Sequence, residues 1–218
     1  MDALLFDFDG LILDTEVPVF EAWQANYQAH GHDLPLETYI QCVGSDFARF
    51  DPKMHLESLT GDSIDWTEWD QRRESEALAK VEALAPMPGV VELLDEAKRS
   101  GLPCAVASSS PRSWVERHLD RLGLLGSFEL TRCLDDVEQP KPSPELFLAA
   151  AAGLGVAPEK AVVFEDSLNG LKAAQAAGSP CVVVPNQVTR LLEFPGATRI
   201  VPSLSRVNVE DLRTLFAS

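Results

Sequence analysis

From residue 90 onward, short apolar and β-branched runs alternate with stretches of helical period. That alternation restricts the chain to a parallel sheet covered by helices on both faces. Residues 104–107, 128–133, 161–164 and 181–184 read as strands, and 90–100, 112–122, 143–153 and 167–177 as helices, with Gly101, Gly123 and Gly178 as helix stops. Ala3-Leu4-Leu5-Phe6 is a further strand without polar alternation, as expected of a strand buried on both sides. Between it and residue 85 every pattern is helical. Val17, Phe20, Trp23 and Tyr27 recur at helical spacing behind Thr15, the expected N-cap, and more helices are expected near 35–43, 46–59 and 65–84. Ala85-Pro86-Met87-Pro88-Gly89 breaks the pattern as a hinge. The expected architecture is an α/β, doubly wound parallel-sheet core, residues 1–14 and 86–218, with a helical unit at 15–85 inserted after the first strand.

The 218 residues include 34 Asp and Glu against 18 Lys and Arg, a net charge of −16. Such a surface repels phosphate backbones and anionic lipid heads, so neither nucleic acid nor a membrane is an expected partner. No apolar run approaches the ~20 residues of a membrane span. The first strand begins at Ala3, which leaves no room for a leader, and a cytoplasmic location is expected. Nothing in the sequence demands more than a monomer. Cys42, Cys104, Cys133 and Cys181 are dispersed and read as reduced structural residues. His30 and His32 read as solvated residues at a helix end, and Trp66 and Trp69 as packing between helices.

In open parallel sheets ligands bind beyond the carboxyl ends of the strands. There stand Asp7-Phe8-Asp9-Gly10, Ser108-Ser109-Ser110 and Glu165-Asp166-Ser167, with Lys141 in a loop before a helix expected to be capped by Ser143. Four carboxylates do not crowd together ionised without a cation, and an all-oxygen set without Cys or His points to Mg²⁺ rather than Zn²⁺. Hydroxyls, loop amides and a lysine beside such an ion make a phosphate pocket. One carboxylate can attack phosphorus, and a second, two residues away, can act as general acid and then base.

These residues resemble the motifs of the haloacid-dehalogenase-like superfamily. Asp7-Phe8-Asp9-Gly10-Leu11-Ile12-Leu13-Asp14-Thr15-Glu16 is similar to the first motif, Ser108 to the second, Lys141-Pro142 to the third and Glu165-Asp166 with Ser167-Leu168-Asn169-Gly170 to the fourth. Order and spacing resemble the subgroup of β-phosphoglucomutase-like phosphatases, over nearly the whole chain. The resemblance implies a Rossmann-like core with an inserted α-helical cap domain. It implies Asp7 as nucleophile, Asp9 as acid/base, and Lys141 bridging Asp7 and the phosphoryl group. Ser108 and the Ser109 backbone would hold that group. The Asp7 and Asp166 side chains and the Asp9 backbone carbonyl would hold Mg²⁺, with Glu165 close by or acting through water.

Substrate choice would fall to the cap, with Gly44, Ser45 and Arg49 as candidates. Glu16 either reaches the substrate or favours the positive end of the first inserted helix. Asn169 and Gly170 either orient the site or let the helix pack, and Asp14 is expected to cap. Asp9 favours phosphate esters, because dehalogenases and phosphonatases of the superfamily lack an acid/base at that place. β-Phosphoglucomutases carry a cap-hinge His where Val19 stands, and a Lys and an Arg around a cap-loop Gly that the stretch 41–47 does not supply, although Arg49 and Lys53 lie close. The expected activity is a Mg²⁺-dependent phosphatase acting on a small phosphorylated metabolite, a sugar or polyol phosphate, through an aspartyl-phosphate. The alternatives are a phosphosugar mutase and a non-catalytic phosphoacceptor of receiver type.

Overall fold

The computed structural model describes residues 1–43 and 50–215. Its elements in chain order are β1 (Ala3–Phe6), α1 (Glu16–Ala29), α2 (Leu36–Tyr39), α3 (Pro52–Thr60), α4 (Trp66–Glu82), α5 (Val90–Arg99), β2 (Cys104–Ala107), α6 (Arg112–Arg121), β3 (Leu130–Arg132), α7 (Glu145–Leu154), β4 (Ala161–Glu165), α8 (Leu168–Ala177), β5 (Cys181–Val183), β6 (Arg199–Ile200) and α9 (Val209–Leu215). The six strands form one parallel sheet, ordered β3-β2-β1-β4-β5-β6. Phe6 of β1 registers with Val106 of β2 and Phe164 of β4, so three carboxyl ends come level at the centre of the sheet. The fold is the doubly wound α/β type expected.

Strand alternation divides the core. Leu4, Phe6, Cys104, Val106, Val162 and Phe164 face α5, α6 and α9, and Phe6 stacks on Phe164 at 4.9 Å between ring centroids. Ala3, Leu5, Ala105, Ala107, Ala161 and Val163 face α7 and α8. The second set is smaller, which lets those helices approach closely. The helices before residue 85 bury a third cluster, built on Phe20, Trp23, Tyr27, Leu34, Tyr39 and Leu56 and joined by Val188. Trp66 meets Trp23 edge-on at 6.0 Å, and Trp69 packs on His30. These tryptophans serve packing. Among the described residues no helix is long and apolar enough to cross a membrane.

Several boundaries differ from the sequence expectation for local reasons. Thr15 gives no side-chain cap to α1; Asp14 does, its Oδ1 accepting from the Val17 amide at 3.2 Å. The helix expected over 46–59 runs from Pro52, because Asp51 accepts from the Lys53 amide at 2.8 Å and Pro52 suits the first turn. Residues 44–49 lie outside the described part. Pro144 rather than Ser143 precedes α7, and the Ser143 hydroxyl bonds to Glu145. In the predicted helix 35–43 only Leu36–Tyr39 is α-helical, with turns beyond it.

Candidate active site

The chain leaves β1 at Asp7 and reverses at once: the Ile12 and Leu13 amides donate to the Phe8 carbonyl, and the Gly10 amide donates to the Leu13 carbonyl at 2.8 Å. Gly10 has φ +80°. A Cβ there would strike the Asp166 carboxylate and lie 2.7 Å from Asn186 Nδ2. This position therefore needs glycine for its conformation and for its neighbours.

At the end of β4, Glu165 is wholly buried. Its Oε2 accepts from the Asp166 amide and from the Ser167 amide and hydroxyl, each at 2.9 Å, and its Oε1 accepts from Lys141 Nζ at 2.7 Å. A Cβ at Gly170 would fall on that carboxylate, so Gly170 provides room for Glu165. The Lys141 ammonium also binds Asp7 Oδ1 and lies over the Phe147 ring. Its loop is tied down on both sides: the Lys141 amide donates to Ser109 Oγ at 3.2 Å, and the Glu138 and Gln139 amides donate to Glu145 Oε2. Asp166 Oδ2 accepts from Asn186 Nδ2 at 2.7 Å, and that amide also reaches the Gly10 carbonyl at 3.2 Å.

Asp9 turns elsewhere. Its Oδ2 accepts from Ser110 Oγ at 2.6 Å and Ser108 Oγ at 3.3 Å, and its Oδ1 from Trp114 Nε1 at 3.0 Å. Its carboxylate is not among the grouped acids. These are Asp7, Glu165 and Asp166, each with one oxygen within 4.8 Å of the others. Of the expected metal set, the Asp9 side chain is the one this arrangement does not bring into the group.

Burial raises the pKa of Asp7 and of Asp166, reinforced by Glu165 and by each site's other acids, while Lys141 works against the rise. Burial opposes the charge on Lys141, but Asp7 and Glu165 outweigh it and hold the ammonium protonated. Three buried carboxylates cannot all ionise against one ammonium without further positive charge. That imbalance, with an all-oxygen donor set, fits a hard divalent cation.

The group lines a cavity of about 950 Å³ with Asp9, Ser108, Ser109, Glu16 and Asn169. The expected site residues inside the described region therefore converge; Gly44, Ser45 and Arg49 fall outside it. Lys53 is drawn off by Asp70 and lies over the Trp66 ring. Glu16 reaches the cavity, and burial, then Asp9 and Asp14, push its carboxyl up to about 7. Glu37, Gln41 and Lys172 also line the cavity, and sequence reasoning made none of them a site residue. It also missed Trp114, which stands on α6 outside any motif, and Asn186, which lies just beyond the carboxyl end of β5, the kind of position that was read for the other strands. The four cysteines are buried, and burial pushes the Cys42 and Cys104 thiols up to about 12, which suits a structural role.

Residues 1–178 match the family described as haloacid dehalogenase-like hydrolase. The chain belongs to that family. This hydrolase is 42% identical to YhcW of Bacillus subtilis (strain 168) over 207 residues, covering 95% of this chain and 94% of the relative. It is 34% identical to a phosphorylated carbohydrates phosphatase of Thermotoga maritima over 180 residues, 82% of each chain. Among solved structures it resembles a CbbY variant of Rhodobacter sphaeroides in complex with xylulose-(1,5)bisphosphate, with 30% identity, a TM-score of 0.74 and coverage of 97% of this chain and 99% of that one. As an enzyme, the chain is a phosphoric monoester hydrolase.

Proposed function

We propose that this enzyme hydrolyses a small phosphorylated metabolite of the sugar or polyol phosphate class, with Mg²⁺ as cofactor and Asp7 as the phosphorylated residue. The observation that carries the reading is the Lys141 ammonium joining Asp7 to Glu165 beside Asp166, on the wall of a cavity of about 950 Å³. The names of its relatives support the substrate class: one acts on phosphorylated carbohydrates, and another was crystallised with a pentulose bisphosphate.

In this mechanism an Asp7 carboxylate oxygen attacks phosphorus while the bond from phosphorus to the ester oxygen breaks. Asp9 gives its proton to the departing alkoxide. Water then attacks the phosphorus of the aspartyl-phosphate and loses a proton to Asp9, freeing phosphate and restoring Asp7. Ser108 and Lys141 bind the phosphoryl oxygens. Mg²⁺, when bound by Asp7, Asp166 and the Asp9 carbonyl, with Glu165 adjacent, neutralises charge that develops on those oxygens. Residues 15–85 act as a cap over a core of 1–14 and 86–218, and Glu16 contacts the substrate from the cap side. Val19 packs against the apolar cluster of the cap, where a mutase presents its histidine, which favours water as the acceptor.

The test is phosphate release with Mg²⁺ from a panel of phosphorylated sugars, polyols and nucleosides, with β-glucose 1-phosphate also followed for isomerisation. Release from one or a few sugar or polyol esters, lost in Asp7→Asn, is expected. Isomerisation without release, or release by Asp7→Asn, contradicts the reading.

A further inference from the structure

We propose that Trp114 is the positioning residue for Asp9, acting through its indole N–H; the inference rests on the acid/base role given to Asp9 above. Asp9 stands beyond the end of β1, and both its oxygens are held from the β2–α6 side. Among the described residues, Trp114 is the side-chain donor to Oδ1, while Ser108 and Ser110 donate to Oδ2.

The two sides of this frame differ in chemistry. An indole N–H only donates, so Oδ1 is fixed as an acceptor. Serine hydroxyls both donate and accept, so they can turn to accept from a protonated oxygen. The geometry thus makes Oδ2 the oxygen that carries the transferable proton, and Trp114 the group that fixes the plane of the carboxyl.

The indole is itself held in place. Its ring meets His118 edge-on at 4.3 Å, and His118, fully buried, stacks on Phe8 at 6.4 Å. Phe8 is the residue between Asp7 and Asp9, so the contacts return to the motif they serve. The supporting helix α6 also grips the end of α4: Arg117 pairs with Glu82, and Arg121 donates to the Leu84 carbonyl at 2.9 Å and the Val81 carbonyl at 3.3 Å. Packing alone would be served by any large ring. The N–H aimed at a carboxylate oxygen is what the positioning role requires.

Trp114→Phe keeps the ring against His118 and removes the N–H. The comparison uses kcat/KM for two esters: the sugar or polyol phosphate that ranks first in the panel above, whose alkoxide must be protonated to leave, and p-nitrophenyl phosphate, whose phenolate leaves unaided. The expected result is a roughly tenfold loss on the alkyl ester with p-nitrophenyl phosphate within about twofold of wild type, because a misplaced acid matters only where the leaving group needs one. Equal losses on both esters, or no loss, would overturn the proposal. Asp9→Asn is measured alongside. If it retains hydrolysis of the alkyl ester, the acid/base reading fails and the positioning role with it; if it loses that activity while Trp114→Phe matches wild type, only the Trp114 inference fails. Should Trp114→Phe not fold, Ser110→Ala carries the test on the other oxygen, with the same ester-selective loss expected and equal losses overturning the frame.

Discussion

Gly170 and Glu165 share one space: a Cβ on the first would stand where the second has its carboxylate. The consequence is opposite to what helix propensity suggests. In an exposed helix Gly→Ala stabilises by about 1 kcal/mol. Here Glu165 is fully buried and held by Lys141, two amides and a hydroxyl, so it has nowhere to yield.

Gly170→Ala is therefore expected to displace Glu165, loosen Lys141 from its place between the two carboxylates, and lower kcat by at least about tenfold. It should bring no gain in melting temperature. Steady-state kinetics and a thermal melt of the same preparation check both halves.

Asn186 is expected to govern metal affinity without being a ligand. Its amide N–H group holds Asp166 Oδ2, while its Oδ1 accepts from the Val188 and Thr189 amides at 2.9 and 3.0 Å. Asn186→Asp sets a carboxylate against Asp166 and removes the donor. The Mg²⁺ concentration for half-maximal activity should rise roughly 10- to 100-fold, as for other residues that orient metal-binding carboxylates. A Mg²⁺ titration of activity measures it, and an unchanged half-point would contradict the role.

Much of this site could be read in advance, for a definable reason. The apolar runs stop abruptly at Asp7, Ser108 and Glu165, and parallel strands bring such stops to one edge. Lys141 stands in a loop and carried no such mark; its place just before an expected helix put it on the same edge, and similarity to a known motif gave it a role. Asn186 was overlooked although it follows the carboxyl end of β5, and Trp114 was invisible. Trp114 sits on a helix at a position indistinguishable from packing, and only the approach of that helix to the β1 turn aims its N–H at Asp9. Gly170 was ambiguous until its neighbour could be seen. The short α2 likewise depended on how its segment packs, because propensity favoured a longer helix.

Glu16 gives a pH-dependent effect on stability. Burial raises its carboxyl from 4.5 to about 7 in the folded protein. A raised acid penalises folding above its unfolded pKa, the penalty growing between about pH 4.5 and 7 and staying full beyond. Glu16→Gln removes that penalty. In metal-free buffer the variant should gain roughly 1–2 kcal/mol at about pH 8 and clearly less at about pH 5. Thermal melts at the two values check the sign; an equal gain at both would show that the carboxyl is not the cause.

Phe164 tests the central packing. It is fully buried and stacked on Phe6 where β1 and β4 pair. Phe164→Ala should cost about 3–5 kcal/mol in denaturant unfolding. Because Glu165 and Asp166 follow it directly, activity should fall even at temperatures where the variant remains folded.

The most direct test of the whole account is the identity of the phosphorylated residue during turnover. Enzyme mixed with Mg²⁺ and its best substrate is quenched in acid within a turnover, digested and mapped by tandem mass spectrometry. The account predicts a phosphoryl group on Asp7, absent from Asp7→Asn, which should release no phosphate. Phosphate release with the group on another residue, or undiminished turnover by Asp7→Asn, would contradict it.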